Sequence, residues 1–328
     1  MKKSKLAILA SLALAAVLAV GLTACGGGSS SKASESLRFV TGGESGTYYA
    51  FGSVIAQHAT NNTDITVNAL SGNGSQANIQ ALQDADAELA FCQSDVMAYA
   101  YNGTNLFEKT GAVKNFSVVA ALYTESVQIV TCDPNIKTVA DLKGKTVSVG
   151  AAGSGVYFNA MDVLGAYDIT INDIDPVYQS FGDSADSLKD GKIDAAFIVA
   201  GAPTTAITDL STSKAAYLVS LDADHVKKLI ASSDYYTEDT IKAGTYSGVT
   251  EDVTTVAVAA VVLADNSVSE EAIYTFTKDL FESASSQVSA HAKYSEVNVD
   301  FGASMTSVPY HPGAAKYFAE KGKTVTTA

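Results

Sequence analysis

The residues of this chain best placed to do chemistry are hydroxyls and glycines at the starts of helices. In Leu37–Ala56 (LRFVTGGESGTYYAFGSVIA) an apolar strand with Leu37, Phe39 and Val40 runs into Thr41-Gly42-Gly43-Glu44-Ser45-Gly46. A helix then opens at Thr47, with Tyr48, Phe51 and Ile55 on one face. A helix N-terminus leaves about four backbone N–H groups unpaired and carries roughly half a positive charge. Glycines ahead of it let a ligand reach the backbone. The pattern points to a small-anion site that needs neither metal nor basic side chain. The alternative is an ordinary glycine-rich strand-to-helix turn. A second stretch of the same design, Val147–Ala160 (VSVGAAGSGVYFNA), favours the anion site. Its strand ends at Gly150, and its helix carries Val156, Ala160, Val163 and Leu164 on one face.

Other chemistries find little support. His58, His225, His291 and His311 are scattered without HxxH or HExxH spacing, and no Cys–His cluster is present, so no metal site is expected. There is no Gly-x-Ser-x-Gly elbow and no pair of carboxylates set off by an apolar pocket. The chain therefore reads as a non-enzyme without a cofactor. An enzyme on a comparable architecture would need a reactive His, Cys or Lys in its cleft loops, and these loops have none. Arg38 is the only arginine, at the end of the first strand away from the loop. For an anionic ligand a bidentate arginine clamp is thus not expected, and backbone N–H groups, hydroxyls and amides must recognise it. The net charge of −14 becomes −17 if Lys2, Lys3 and Lys5 are removed, a surface that repels nucleic acid and anionic lipid.

Those three lysines form a positive n-region ahead of an apolar run from Leu6 to Val20, too short for a comfortable membrane span. The run ends Leu22-Thr23-Ala24-Cys25, which resembles the bacterial lipobox. Residues 1–24 then read as a lipoprotein signal peptide, with Cys25 the lipidation site. A simple cleavable signal with an incidental cysteine is the alternative. Residues 25–36 (CGGGSSSKASES) read as a flexible tether. The expected product is a monomer anchored by lipid on the outer, extracytoplasmic face of the cell membrane. Cys92 and Cys132, the cysteines that remain, fall in different predicted lobes and are not expected to pair.

Positioning two such turns requires alternating strands and helices, and the rest of the chain supplies them. Ile65–Leu70, Leu89–Cys92, Phe116–Tyr123, Val127–Cys132, Ile174–Gln179, Ile193–Val199, Ala215–Leu221 and Thr255–Ala264 read as strands. Thr138-Val139-Ala140-Asp141 reads as a capping-box variant, and Ser267-x-x-Glu270 as the cap of a long helix. Apolar strands each followed by a helix predict mostly parallel α/β sheets covered on both faces. One sheet cannot easily hold so many strands. The expected fold is α/β with two lobes: lobe I over 37–125, lobe II over 126–255, and a return to lobe I with C-terminal helices over 256–328. Ligands of open α/β sheets sit off the carboxyl ends of the strands. The loops Gly42–Thr47, Asn73–Ser75, Gln93–Asp95, Gly150–Gly155 and Ala200–Ala202 all lie there and can converge on one cleft. Two lobes around a cleft without catalytic groups suit a solute receptor.

The ordered set SGTYYAFGSVIA, GNGSQANIQAL, AELAFCQSDVMAYAYNG, VVAALYTESVQIV, VADLKGKTVSVGAAGSG, GKIDAAFIVAGAPTTAI, IKAGTYSGVTEDVTTVAV and HPGAAKYFAEKG resembles the TAXI-type solute-binding proteins of TRAP transporters. The similarity runs from about Leu37 to Gly322. It implies a type II periplasmic-binding-protein-like fold and delivery of ligand to TRAP permease subunits driven by an ion gradient. It also implies a small anionic or zwitterionic ligand such as glutamate, glutamine or 2-oxoglutarate. Carried onto this sequence, it places Ser45, Gly46, Thr47 and Tyr48 (SGTY), Asn73 and Ser75, and Gln93, Ser94 and Asp95 (QSD) in the ligand site. Gly153, Ser154 and Gly155 at the second helix, and Gly201 and Ala202 of the AGAP turn, join them. Tyr123 and Glu125 lie at the lobe crossover, with cleft lining and hinge packing as their two readings. Thr131-Cys132-Asp133 stands where many relatives have an arginine. A substrate-binding lipoprotein of an ABC importer and a lipoprotein partner of a sensor are the competing readings.

Overall fold

A computed structural model describes residues 35–328. The signal segment, Cys25 and most of the tether lie outside the described residues. The last tether residue, Ser36, is already in the first strand, β1 (Ser36–Val40). The sheet continues with β2 (Thr66–Leu70), β3 (Leu89–Gln93), β4 (Phe116–Thr131), β5 (Thr146–Ser148), β6 (Asp175–Val177), β7 (Ala195–Ala200), β8 (Tyr217–Leu218), β9 (Thr237–Ile241) and β10 (Val253–Asp265). The order is β2-β1-β3-β10-β4-β7-β5-β6, with β8 beside β4 and β9 beside β10.

Each end of this sheet is parallel, as alternation of strand and helix requires. Leu37 pairs with Val67 and Phe39 with Leu89 at one end; Val147 pairs with Pro176 and Ala195 at the other. The middle differs from the expectation of two separate sheets. The two apolar runs around Thr124-Glu125-Ser126 form the single 16-residue strand β4, not two strands and a loop. β4 runs antiparallel to the 13-residue β10, and together they carry one hydrogen-bonded sheet through both lobes. The physical reason is length. At about 3.3 Å per residue, 16 residues span two ordinary strands end to end. Register shifts at Ala260/Val261 and Val262/Leu263 let this pair twist between the lobes.

The helices are α1 (Thr47–Asn62), α2 (Ser75–Gln83), α3 (Ser94–Asn102), α4 (Val156–Ala166), α5 (Phe181–Asp190), α6 (Thr205–Ser213), α7 (Ala223–Ser232), α8 (Glu270–Gln287), α9 (Val299–Gly302) and α10 (Pro312–Glu320). The cap of α8 is Ser269, whose hydroxyl accepts from Ala272 N–H. The predicted Ser267 instead donates to Asp265 in the preceding turn. The capping box at Thr138 and Asp141 is present, on a single 3-10 turn. The predicted strand Ala215–Leu221 shrinks to β8, which pairs with β4.

Lobe I closes over one core that includes Leu37, Phe39, Phe51, Phe91, Tyr123, Val261 and Phe276. Lobe II has a core on each face of its sheet. Along β7, Ala195, Phe197 and Val199 enter one, while Ala196, Ile198 and Ala200 enter the other. That is the period-two alternation of a strand buried on both sides. The architecture is the two-lobe, type II α/β fold with a cleft between lobes. Among the described residues no helix is long and apolar enough to cross a membrane.

Candidate functional site

The first glycine turn works as its sequence suggests. β1 ends at Val40, the chain crosses Thr41–Gly46, and α1 opens at Thr47 with Gly46 as an extended N-cap that lends no side chain. The free N–H groups of that turn are left for something else. The second turn is built likewise: β5, then the loop, then α4 opening at Val156 behind Gly155. Gly155 is required by closeness. A Cβ there would occupy the space of the Gln93 carboxamide, which reaches across from lobe I. Gly74 at the start of α2 has φ +101° and touches Ser154, so both a side chain's strain and its bulk would part the lobes.

Both turns line one cavity of about 400 Å³, within the roughly 300–1,000 Å³ of small-molecule sites. Of the residues predicted from sequence, it brings together Ser45, Gly46, Thr47, Tyr48, Asn73, Ser75, Gln93, Glu125, Ser154 and Gly155. Six others stand outside its lining. Gly153 accepts from Ala77 N–H at 2.9 Å. Gly201 accepts from the Thr47 hydroxyl at 3.0 Å. Ala202 precedes Pro203 through a cis peptide. Ser94 Oγ accepts from Ala259 N–H. Tyr123 is buried in lobe I, its hydroxyl without a partner. Asp95 is fully buried behind the cavity and takes the Asn159 amide at 2.8 Å. It does not cap α3, whose N-cap is Gln93.

Sequence reasoning left out Ser180, Phe181, Gly182, Asp183 and Asp186 at the start of α5, which form another wall. The signal was there: Ser180-Phe181-Gly182-Asp183 is a third strand-to-helix turn, and Ser180 caps α5 by accepting from Asp183 N–H.

The electrostatics are one-sided. The lining holds Glu44, Glu125, Asp183 and Asp186 but no lysine, arginine or histidine. Arg38 is elsewhere, engaging both carboxylate oxygens of Glu88. Glu125 is 2% exposed. Its Oε2 accepts the Tyr48 hydroxyl at 2.7 Å, and burial pushes its carboxyl up to about 8. Burial likewise pushes Asp95 up to about 7. Tyr48 is held flat on Phe91, ring centroids 4.6 Å apart. Ser154 Oγ is buried without a partner.

Behind the cavity the lobes are joined by amides. Gln93 Nε2 donates to Asn159 Oδ1 at 2.6 Å, and Asn159 Nδ2 donates to Asp95 Oδ2 and to the Tyr236 hydroxyl, each at 2.8 Å. Tyr236 in turn donates to Asp162. Phe158, next to Asn159 on α4, leaves lobe II and packs in the lobe I core beside Tyr99. The lobes are therefore closed on each other here. Cys92 and Cys132 are both free, and among the described residues no cluster of ligating side chains can hold a metal.

The fold has known counterparts. A structure from Bordetella bronchiseptica RB50 is similar at a TM-score of 0.54 and 15% identity, over 89% of this chain and 83% of that one. The alkanesulfonate-binding protein SsuA from Xanthomonas axonopodis pv. citri, bound to MOPS, gives 0.47 and 16%, over 87% and 83%. The GluR0 ligand-binding core from Nostoc punctiforme in complex with L-glutamate gives 0.47 and 16%, over 79% and 98%. The model of the NMT1-like family matches residues 39–322, nearly the whole described body, and the chain belongs to that family.

Proposed function

We propose that this protein is an extracytoplasmic solute receptor that captures a small organic acid and passes it to a membrane permease without changing it. The observation that carries the reading is Ser154 Oγ, a buried hydroxyl with no partner in the cavity where two helix N-termini meet. Leaving such a group unsatisfied costs about 1–3 kcal/mol. A ligand oxygen would satisfy it. The carboxylate would lie between the N-termini of α1 and α4, one from each lobe, and so favour closure. We take the lobes to divide after residues 125 and 255. The ordered TAXI-like motifs support a ligand of the glutamate, glutamine or 2-oxoglutarate kind and an ion-gradient-driven TRAP permease as the acceptor. The Leu22-Thr23-Ala24-Cys25 sequence supports a lipid anchor at Cys25 on the outer face of the membrane.

Mass spectrometry of the ligand released by denaturing the tagless protein tests the receptor reading. An organic acid recovered unchanged at near-equal molar amount is expected. Conversion of an added acid to a new product would make the protein an enzyme. Cross-linking in native membranes tests the permease, an ATPase-coupled partner favouring the ABC alternative. Cys25→Ala should move the protein out of the detergent phase, and identical partition would refute the anchor.

A further inference from the structure

The cavity carries a feature that anion capture does not use. Glu125 projects from the middle of β4 into the cavity and is almost fully buried. One of its oxygens takes the Tyr48 hydroxyl. The other, Oε1, has no hydrogen bond among the described residues. The nearest cation is Lys293, held at 2.5 Å by Glu296 and set over the Tyr123 ring outside the cavity. A buried carboxylate without a cation is costly, and one that is paired and hydrogen-bonded is less so. The lining offers no cation to Oε1, which leaves that place open to a cationic group of the ligand. Elsewhere in the lining, the helix N-termini and the Ser154 hydroxyl offer donors. A molecule that satisfies both is positive at one end and negative at the other.

Resting on the receptor reading above, we infer that Glu125 is the specificity residue of the site. It holds a protonated amine of the ligand on Oε1, while the ligand's carboxylate lies on the two helix N-termini, so that an amino acid is chosen over the matching keto acid. A keto oxygen in the same place would face an acceptor. It could be tolerated only with a proton kept on Glu125, and the net negative charge of the keto acid would then meet a lining whose charged residues are all acidic.

Binding also moves a proton. Burial keeps Glu125 protonated at neutral pH in the free protein. The groups that face it are the Tyr48 hydroxyl from α1, Asp95 from α3, Tyr123 on its own strand and Lys293 beyond. An arriving ammonium reverses the balance and expels the proton. A keto acid does not.

The test is calorimetry with three matched pairs: L-glutamate and 2-oxoglutarate, L-alanine and pyruvate, L-leucine and 4-methyl-2-oxopentanoate. For the pair that binds best, a preference of about thirtyfold or more for the amino acid is expected. At pH 7, repetition in buffers of different ionisation enthalpy should show close to one proton released per amino acid bound. Glu125→Gln keeps the shape and removes the charge. It should bring the two members of the pair within about threefold and abolish the proton release. Equal binding of amino and keto acid by the wild-type protein, or a preference that survives in Glu125→Gln, overturns the assignment and leaves the receptor reading standing. Should the variant not fold, equal binding of amino and keto acid by the wild type overturns it alone. If no pair binds and no small molecule co-purifies, the receptor reading itself falls, and this assignment with it.

Discussion

The two glycine turns read alike in sequence and differ in what they leave free. In the lobe I turn, Thr47 places its hydroxyl on Gly201 O across the cleft. In the lobe II turn, Ser154 keeps its hydroxyl buried and unpartnered. Acidity divides in the same way. The buried acids nearest the cleft, Asp95 and Glu125, come from lobe I, while lobe II offers the Asn159 amide and the Ser154 hydroxyl. The acids that lobe II adds to the lining, Asp183 and Asp186, are exposed instead. A strand-to-helix turn thus supplies a place for an anion, but the opposing lobe decides which of its hydroxyls holds the lobes and which waits for a ligand.

The largest effect should come from breaking the acidic face of this comparison. Asn159→Ala strips the partner from Gln93 Nε2 and Asp95 Oδ2, at about 1–3 kcal/mol for each group left unpaired. Thermal unfolding should show a fall in Tm of several degrees, and no fall would mean that the lobes do not depend on this junction.

The same face predicts a pH dependence. Asp95 and Glu125 have carboxyls raised by burial to about 7 and about 8. From the unfolded values near 4 up to these, the folded state of the free protein holds more protons than the unfolded state. Stability must therefore fall as pH rises through that window, by up to about 1.4 kcal/mol per pH unit for each carboxyl, and level off above it. Denaturant midpoints between pH 5 and pH 9 measure this, and Asp95→Asn should flatten the lower part of the slope. A midpoint that rises from pH 5 to pH 7 would contradict it.

Next comes the contrast between hydroxyls. Ser154→Ala should weaken ligand binding about tenfold, about 1.4 kcal/mol, and leave the free protein as stable as before or more so, because an orphan hydroxyl is removed. Thr47→Val should lower both the stability of the closed form and the affinity, by about 0.5–1.5 kcal/mol, the net worth of one hydrogen bond. Calorimetry together with thermal melting separates the two patterns. If the variants behave identically, the distinction between holding hydroxyl and waiting hydroxyl is wrong.

The smallest effect belongs to Arg38→Ala. The Arg38 side chain is 42% exposed, and it pairs with Glu88 far from the lining. The change should leave ligand affinity within twofold and thermal stability nearly unchanged, as for an exposed ion pair. A loss of binding here would mean that the anion site lies elsewhere.

The sequence by itself settled what depends on neighbours along the chain. The period of apolar residues set the parallel strands at each end of the sheet. Glycines and the helix start after them placed the turns at Gly46 and Gly155. The single arginine, at the wrong end of β1, was legible as a residue that does not serve the cleft. The tertiary structure decided what depends on neighbours far apart in sequence. That β4 and β10 join the lobes as continuous strands follows from their pairing over nine registered positions, which neither run reveals alone. That Asp95 lies behind the cavity while Glu125 lines it depends on Asn159, 64 residues from Asp95, and on Tyr48, 77 residues from Glu125. The role of each hydroxyl was hidden for the same reason. Thr47, the first residue of α1, and Ser154, just before the cap of α4, carry the same hydroxyl at similar turns, and a carbonyl 154 residues from Thr47 makes one a clasp and leaves the other open.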